Sequence, residues 1–188
     1  MKTRYKEMLS KIFKAILGFF KIRDEHYRLY SKAVGRARQE FYYTELGVED
    51  SLEGRFDLII LQLFLVTNRI SIEHGGKHEM IQGLQEALIS DMDRSLREMG
   101  VGDMRVGKQV KSMAVAWLGR ATAYTQAVAE DSDDMLVECL SRNLYSMEDG
   151  THDMAPRMAK HVRDMIDALL QIKVDDILSS NYDYPVFK

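Results

Sequence analysis

The sequence contains few of the residues that build disulfide scaffolds, turn-rich sheets or membrane spans. Cys139 is the only cysteine among 188 residues, so an internal disulfide or a cysteine-based zinc site cannot form. Two prolines and twelve glycines argue against long loops and against a strand-rich fold. No apolar run approaches the ~20 residues that cross a bilayer, and no secretory signal pattern is present. These absences favour a helical protein of a reducing compartment.

The composition is typical of a globular protein with a large core. Hydrophobic residues make up 46% of the chain and charged residues 29%. A chain of this length is expected to fold as one domain. Twelve methionines are many, and their flexible side chains suit both core filling and surfaces that bind varied apolar partners.

One apolar stretch predicts the centre of the fold. Between residues 58 and 66 the only polar side chain is Gln62, so no polar stripe is left to face water. A helix that is apolar on all sides must be buried on all sides. The leucine content favours a helix over a buried strand. We therefore predict an all-α fold, a single-domain multi-helix bundle around a buried central helix at about residues 52–72.

The first 23 residues differ from the rest in charge. They carry seven basic residues against Glu7, a net charge of +6, which leaves −9 for the remainder. Apolar residues recur at helical spacing from Tyr5 to Ile22, with lysines opposite them. The segment predicts either an interfacial membrane helix or a first bundle helix packed on the core. In the membrane interpretation the contact residues are Lys6, Lys11, Phe13, Lys14, Leu17, Phe20 and Lys21.

Further helices are predicted over residues 24–43, 80–99, 106–129, 131–145 and 154–172. Gly47 and Gly100 are expected to end helices, and Ser51 is expected to cap the central helix. The predicted organisation is a basic helix at 1–23, a helical domain at 24–180 and an extended tail at 181–188.

Three patterns resemble chemical sites but lack parts that the chemistry needs. Residues 102–108 fit G-x-x-x-x-G-K, yet Gln109 stands where a hydroxyl should hold magnesium, and no buried strand precedes them. His74 and His78 have a spacing that suits a metal, but glycines lie between them. Cys139 has no evident base beside it. We predict no catalytic residue, no metal site and no cofactor.

Several blocks together resemble the ubiquinol–cytochrome c chaperone family, the assembly factors for cytochrome b of the bc1 complex. Their order and spacing, over roughly residues 27–146, make the match specific. The blocks are Phe41-Tyr42, Gly47-Val48-Glu49-Asp50, Gly54-Arg55-Phe56-Asp57, residues 91–103, residues 106–113, Gly119-Arg120 with Tyr124, and Arg142-Asn143-Leu144-Tyr145.

The resemblance implies a cofactor-free bacterial factor that acts in the cytoplasm, peripheral to the inner membrane, on nascent or unassembled cytochrome b. Mitochondrial members pair with a second small assembly factor and associate with the ribosome; no direct nucleic-acid contact is expected here. We hypothesise that the client lies along a groove beside residues 91–103, whose charges otherwise serve intrahelical pairing. The candidate client-binding residues are Arg55, Asp91, Arg94, Arg97, Asp103, Lys108, Lys111 and Arg120.

Two other functions compete with an assembly chaperone. A peripheral membrane adaptor would recruit a soluble partner without holding a client. An enzyme would use the turn at residues 102–108, which the missing hydroxyl disfavours.

Overall fold

The computed structural model describes residues 24–147 and 150–185, and within them every regular element is a helix. The predicted all-α bundle is confirmed. The predicted basic helix at 1–23, with its membrane-contact residues, lies outside the described residues. The helices are α1 (residues 24–37), α2 (Phe41–Thr44), α3 (Leu52–His74), α4 (Glu79–Glu98), α5 (Asp103–Ala129), α6 (Asp134–Leu144), α7 (Ala155–Leu170) and α8 (Val174–Leu178).

Helix α3 is the predicted central helix, and it contacts α4, α5, α6, α7 and α8. Every residue from Phe56 to Thr67 is buried. The Ser51 hydroxyl accepts a hydrogen bond from the Gly54 N–H at 3.2 Å, as a helix cap does. At the other end, Gly75 adopts a φ of +77°, which a residue without Cβ reaches at little cost.

The prediction of one helix over residues 24–43 was wrong, because the chain breaks at residues 38–40 before α2 begins. Neither glycine nor proline marks this break. A tertiary contact explains it: the turn directs Tyr42 into the core, where its side chain is fully buried.

Tyr42 is the centre of a buried hydrogen-bond cluster that joins four helices. Its hydroxyl oxygen accepts bonds from Arg36 Nε at 3.1 Å and from Gln62 Nε2 at 3.0 Å. The Tyr42 hydroxyl proton is therefore left to donate to His161 Nε2, 3.2 Å away. Burial, with Arg36 nearby, lowers the pKa of His161 to about 4, consistent with a neutral imidazole. Gln62, the lone polar residue of the central stretch, thus has a specific partner.

Helices α4 and α5 form a hairpin that sets the position of the candidate site. Gly100 ends α4 with a φ of +79°, as predicted from its place after the helix. Helix α5 begins at Asp103, so Gly107 and Lys108 lie within a helix rather than in a phosphate-binding loop. The structure therefore has the alternative to a nucleotide site that the sequence allowed: one helix ends and the next one begins.

The end of the described chain packs back on α1. Residues 181–185 form no helix. The Lys32 ammonium donates to the Tyr182 carbonyl oxygen, and the Arg36 guanidinium lies 5.7 Å from the Tyr184 ring centroid. These contacts hold the segment over the Tyr42 cluster.

Candidate functional site

A groove with a volume of about 690 Å³ opens between the α1–α2 turn, α3, α4 and the first half of α5. Its walls are mainly apolar side chains, and three of them are methionines, which adapt to differently shaped partners. The apolar lining is Ala37, Tyr43, Leu52, Phe56, Ile59, Met92, Leu96, Met99 and Met113. Leu52 and Met99 are more than half exposed, so the mouth of the groove is apolar too.

Asp91 is a fixed negative charge on one wall of the groove. The Tyr30 hydroxyl donates to Asp91 Oδ2 at 2.9 Å, and Arg94 Nη2 donates to Asp91 Oδ1 at 2.5 Å. Burial together with the Asp91 charge raises the pKa of Tyr30 well above its usual value, which keeps the phenol protonated as the donor. The carboxylate is therefore held in one orientation facing the groove.

The rim of the groove also carries cations, next to further carboxylates. Arg55 Nε lies 2.6 Å from Asp50 Oδ1, and this hydrogen bond lowers the pKa of the Asp50 carboxyl. Arg38 also lines the groove and is exposed. Among the described residues, no carboxylate lies within ion-pair distance of Arg38. Glu40 lines the groove as well, and Arg38 borders the adjoining depression together with Asp91, so charges of both signs surround the apolar floor.

The structure brings only some of the eight predicted client-binding residues to this groove. Asp91 and Arg55 line it, and Arg94 borders an adjoining depression. Arg97 bridges Asp93 at 2.6 Å and Asp103 at 2.5 Å, joining α4 to the start of α5. The charges of residues 91–103 therefore include the intrahelical pairs that the sequence also allowed.

The remaining three predicted residues lie elsewhere on α5. Lys108 and Lys111 are exposed. Arg120 points inward, where its Nη2 lies 3.0 Å from Asp57 Oδ1 in α3. Burial raises the pKa of Asp57 to about 7, and Arg120 opposes that rise. This pair fixes α5 on the central helix beside the groove floor at Phe56, whose ring centroid is 5.9 Å from the Arg120 guanidinium.

The sequence did not identify the apolar groove residues. Met92, Leu96 and Met99 follow one another at helical spacing on α4, a pattern that equally predicts an ordinary core face. Only the position of α5, which leaves that face open toward α2, distinguishes a groove wall from core.

The histidine pair and the lone cysteine, which resemble chemical sites in the sequence, do not have the geometry of a metal or catalytic site in the structure. The His74 and His78 rings lie 4.8 Å apart, and His78 Nδ1 accepts the Met80 N–H at 3.1 Å as a helix cap. No group of three metal-ligating side chains occurs among residues 24–147 and 150–185. Burial raises the pKa of the Cys139 thiol, which is the reverse of nucleophile activation.

The family model for the ubiquinol–cytochrome C chaperone matches residues 44–184 of this chain, about three-quarters of its length. The chain belongs to this chaperone family. A crystal structure of the Cbp3 homolog from Brucella abortus is similar to it, with 27% sequence identity and a TM-score of 0.77. That match covers 93% of this chain and 97% of the other. The comparison with curated proteins gives no match.

The structure explains why two positions in the sequence blocks that resemble the family are occupied by glycine and aspartate. A Cβ added to Gly54 would overlap the carbonyl oxygen of Glu49, so the first turn of α3 requires glycine there. Asp57, one turn later, is the buried partner of Arg120. Both positions are on α3 next to the groove-lining residues Arg55 and Phe56.

Proposed function

We propose that this protein is a noncatalytic assembly chaperone that holds unassembled cytochrome b of the bc1 complex at the cytoplasmic surface of the inner membrane. The observation that supports this most directly is the apolar groove with charged walls in a member of the ubiquinol–cytochrome c chaperone family. A chaperone of this kind needs an exposed apolar surface and no reactive group.

The chemistry of the groove suits an amphipathic or apolar helix of the client. Such a helix would lay its apolar face against the methionine-lined floor, as in helix-in-groove recognition. Asp91 and Arg38, at the rim of the groove, would then meet polar loop segments or helix ends of the client. Asp91 is held by Tyr30 and Arg94, so its charge is already oriented before the client binds.

Action at the membrane surface is supported by the charge of the chain. None of the helices in the described part of the molecule combines the length and hydropathy needed for a membrane span. Residues 1–23 carry a net charge of +6, which would attract anionic lipid. We also propose that a second small assembly factor is a partner, as the family resemblance implies.

A pull-down of the full chain from solubilised membranes, followed by identification of the captured subunits, tests this function. We expect cytochrome b to be enriched and the bc1 complex to be lost on deletion, with unchanged transcript levels. Capture of soluble proteins without any bc1 subunit would instead support a peripheral membrane adaptor. Nucleotide binding that Lys108→Ala abolishes would support an enzyme and contradict the proposal.

A further inference from the structure

Helix α5 has a charge distribution unlike that of the rest of the molecule. From Met104 to Ala129 the chain contains four basic residues and no aspartate or glutamate, whereas the whole sequence has 29 acidic residues. One of the four, Arg120, faces inward to Asp57. The others are exposed and leave the outer side of α5 positively charged in a protein of net charge −3.

The outer side of α5 is also apolar. Met104 is 94% exposed, Val115 63% and Leu118 58%, and the first two are the largest such values among the large apolar residues of the described chain. Lys108 and Lys111 lie between them at helical spacing, so all five side chains share one stripe along the helix. The buried residues Val106, Trp117 and Tyr124 face the other way. The stripe therefore lies opposite the buried face of α5, on the side that no other described helix covers.

The two lysines of this stripe are not used for pairing within the described molecule. Among residues 24–147 and 150–185, no carboxylate lies within 4.0 Å of Lys108 or Lys111. Exposed lysines with exposed apolar side chains on either side of them along the helix are what an interfacial surface presents to anionic lipid.

We propose that the α5 stripe, formed by Met104, Lys108, Lys111, Val115 and Leu118, binds an anionic lipid surface. The apolar side chains enter the headgroup boundary while the two ammonium groups contact lipid phosphates. This inference is independent of the identity of the client. It assigns Lys108 and Lys111 to lipid rather than to client recognition.

The shape of the stripe favours a bilayer over a protein partner. A stable protein interface covers about 800 Å² on each side, with a continuous apolar centre. Three apolar side chains in a single row, interrupted by lysines, do not form such a centre. A membrane surface requires only a line of contact with matching charge, which α5 provides.

The lipid contact would also orient the groove. Met99 at the groove mouth and Met104 at the start of the stripe are joined by the short turn between α4 and α5. A bilayer against α5 therefore lies next to one end of the groove, where a membrane client would enter.

Vesicle cosedimentation of the full chain tests whether the charges of Lys108 and Lys111 contribute to lipid binding. Phosphatidylcholine vesicles with and without phosphatidylglycerol are compared, using Lys108→Gln/Lys111→Gln against a matched control, Lys77→Gln/Lys173→Gln. Both pairs are exposed and remove the same charge. We expect roughly tenfold weaker binding to the anionic vesicles for the α5 pair, and wild-type binding for the control. Equal binding by both variants would overturn the proposal.

A fluorophore at position 115 tests which surface touches lipid. Cys139 is buried, so Val115→Cys can be labelled selectively in the native chain, with Gln171→Cys at the exposed end of α7 as the control site. We expect a blue shift with anionic vesicles at position 115 only. Vesicle binding without any shift at 115 would assign lipid contact to another part of the chain and overturn the proposal. A shift that occurs without vesicles and increases with protein concentration would indicate self-association instead. That result would also overturn the proposal.

Discussion

The Asp57 carboxylate and the Arg120 guanidinium lie 3.0 Å apart across the interface of α3 and α5. The Asp57 side chain is only 4% exposed, while Arg120 retains 22%. The pair attaches α5 to the central helix together with the contact between the Phe64 and Tyr124 rings, whose centroids are 5.3 Å apart. Helix α5 contributes Met113 to the lining of the groove.

Replacing Arg120 with methionine should destabilise the protein most at alkaline pH. Burial raises the pKa of Asp57 to about 7, so the carboxyl is largely protonated at pH 5 and largely ionised at pH 8. Without Arg120, ionised Asp57 has no partner, and we expect a loss of about 2–3 kcal/mol in the free energy of unfolding at pH 8. At pH 5 the loss should be much smaller. Denaturant titrations at the two pH values measure this.

Asp57→Asn is the matched control for that prediction. The amide keeps the shape of the side chain but cannot ionise, so the stability loss that Arg120→Met causes in the Asp57→Asn background should be the same at both pH values. A pH-dependent difference between Asp57→Asn and Asp57→Asn/Arg120→Met would mean that another group causes the effect.

His161 should contribute stability that is lost in acid. Its pKa is lowered to about 4 by burial and Arg36, whereas the unfolded chain takes up that proton near pH 6.5. The unfolded state therefore binds more protons between those values, and stability falls as pH drops from about 6.5 to about 4. In His161→Gln we expect that part of the fall, about 2–3 kcal/mol, to be absent. His74→Gln, at an exposed position, should keep the wild-type profile; a flattened profile there would contradict the assignment to His161.

Two glycine-to-alanine substitutions should have opposite signs. At Gly54 the added methyl group would overlap the Glu49 carbonyl oxygen, a backbone atom that cannot easily move, so we expect a loss of about 2–3 kcal/mol. At Gly119 the added Cβ meets no atom within 4 Å, and Gly119→Ala should stabilise α5 by about 0.5–1 kcal/mol. Thermal unfolding compares the two, and destabilisation by both would mean that the methyl overlap is not the cause.

Charges at the groove mouth should reduce client binding without unfolding the protein. Leu52→Glu and Met99→Glu place a carboxylate at exposed apolar positions, so stability should change by less than about 0.5 kcal/mol. Recovery of cytochrome b in a membrane pull-down should fall, because a buried charge opposes an apolar client. Ile72→Glu, equally exposed but at the far end of α3, should leave recovery unchanged. Equal losses in all three variants would contradict a client site in the groove.

The helical core could be predicted from the sequence because a helix that is buried on all sides is apolar on all sides. Residues 58–66 have this pattern. The break before Tyr42 could not, since its cause is a hydrogen-bond cluster with residues that are 6, 20 and 119 positions away. The sequence suggested a groove beside residues 91–103, but its apolar lining was missed for a related reason. Met92 and Met99 have the spacing of core residues, and only the way α5 packs shows that their face is open. The charges of residues 91–103 drew attention to the helix that lines the groove, but mainly to its paired, solvent-exposed side.

Site-specific photocrosslinking from position 99 in intact cells tests the central claim most directly. A photoreactive residue in place of Met99 samples the groove mouth, and one in place of Ile72 samples a comparably exposed surface away from it. We predict a crosslink to cytochrome b from position 99 and none from position 72. Absence of any cytochrome b adduct at position 99, with the variant folded and membranes assembling the bc1 complex, would contradict the groove as the client site.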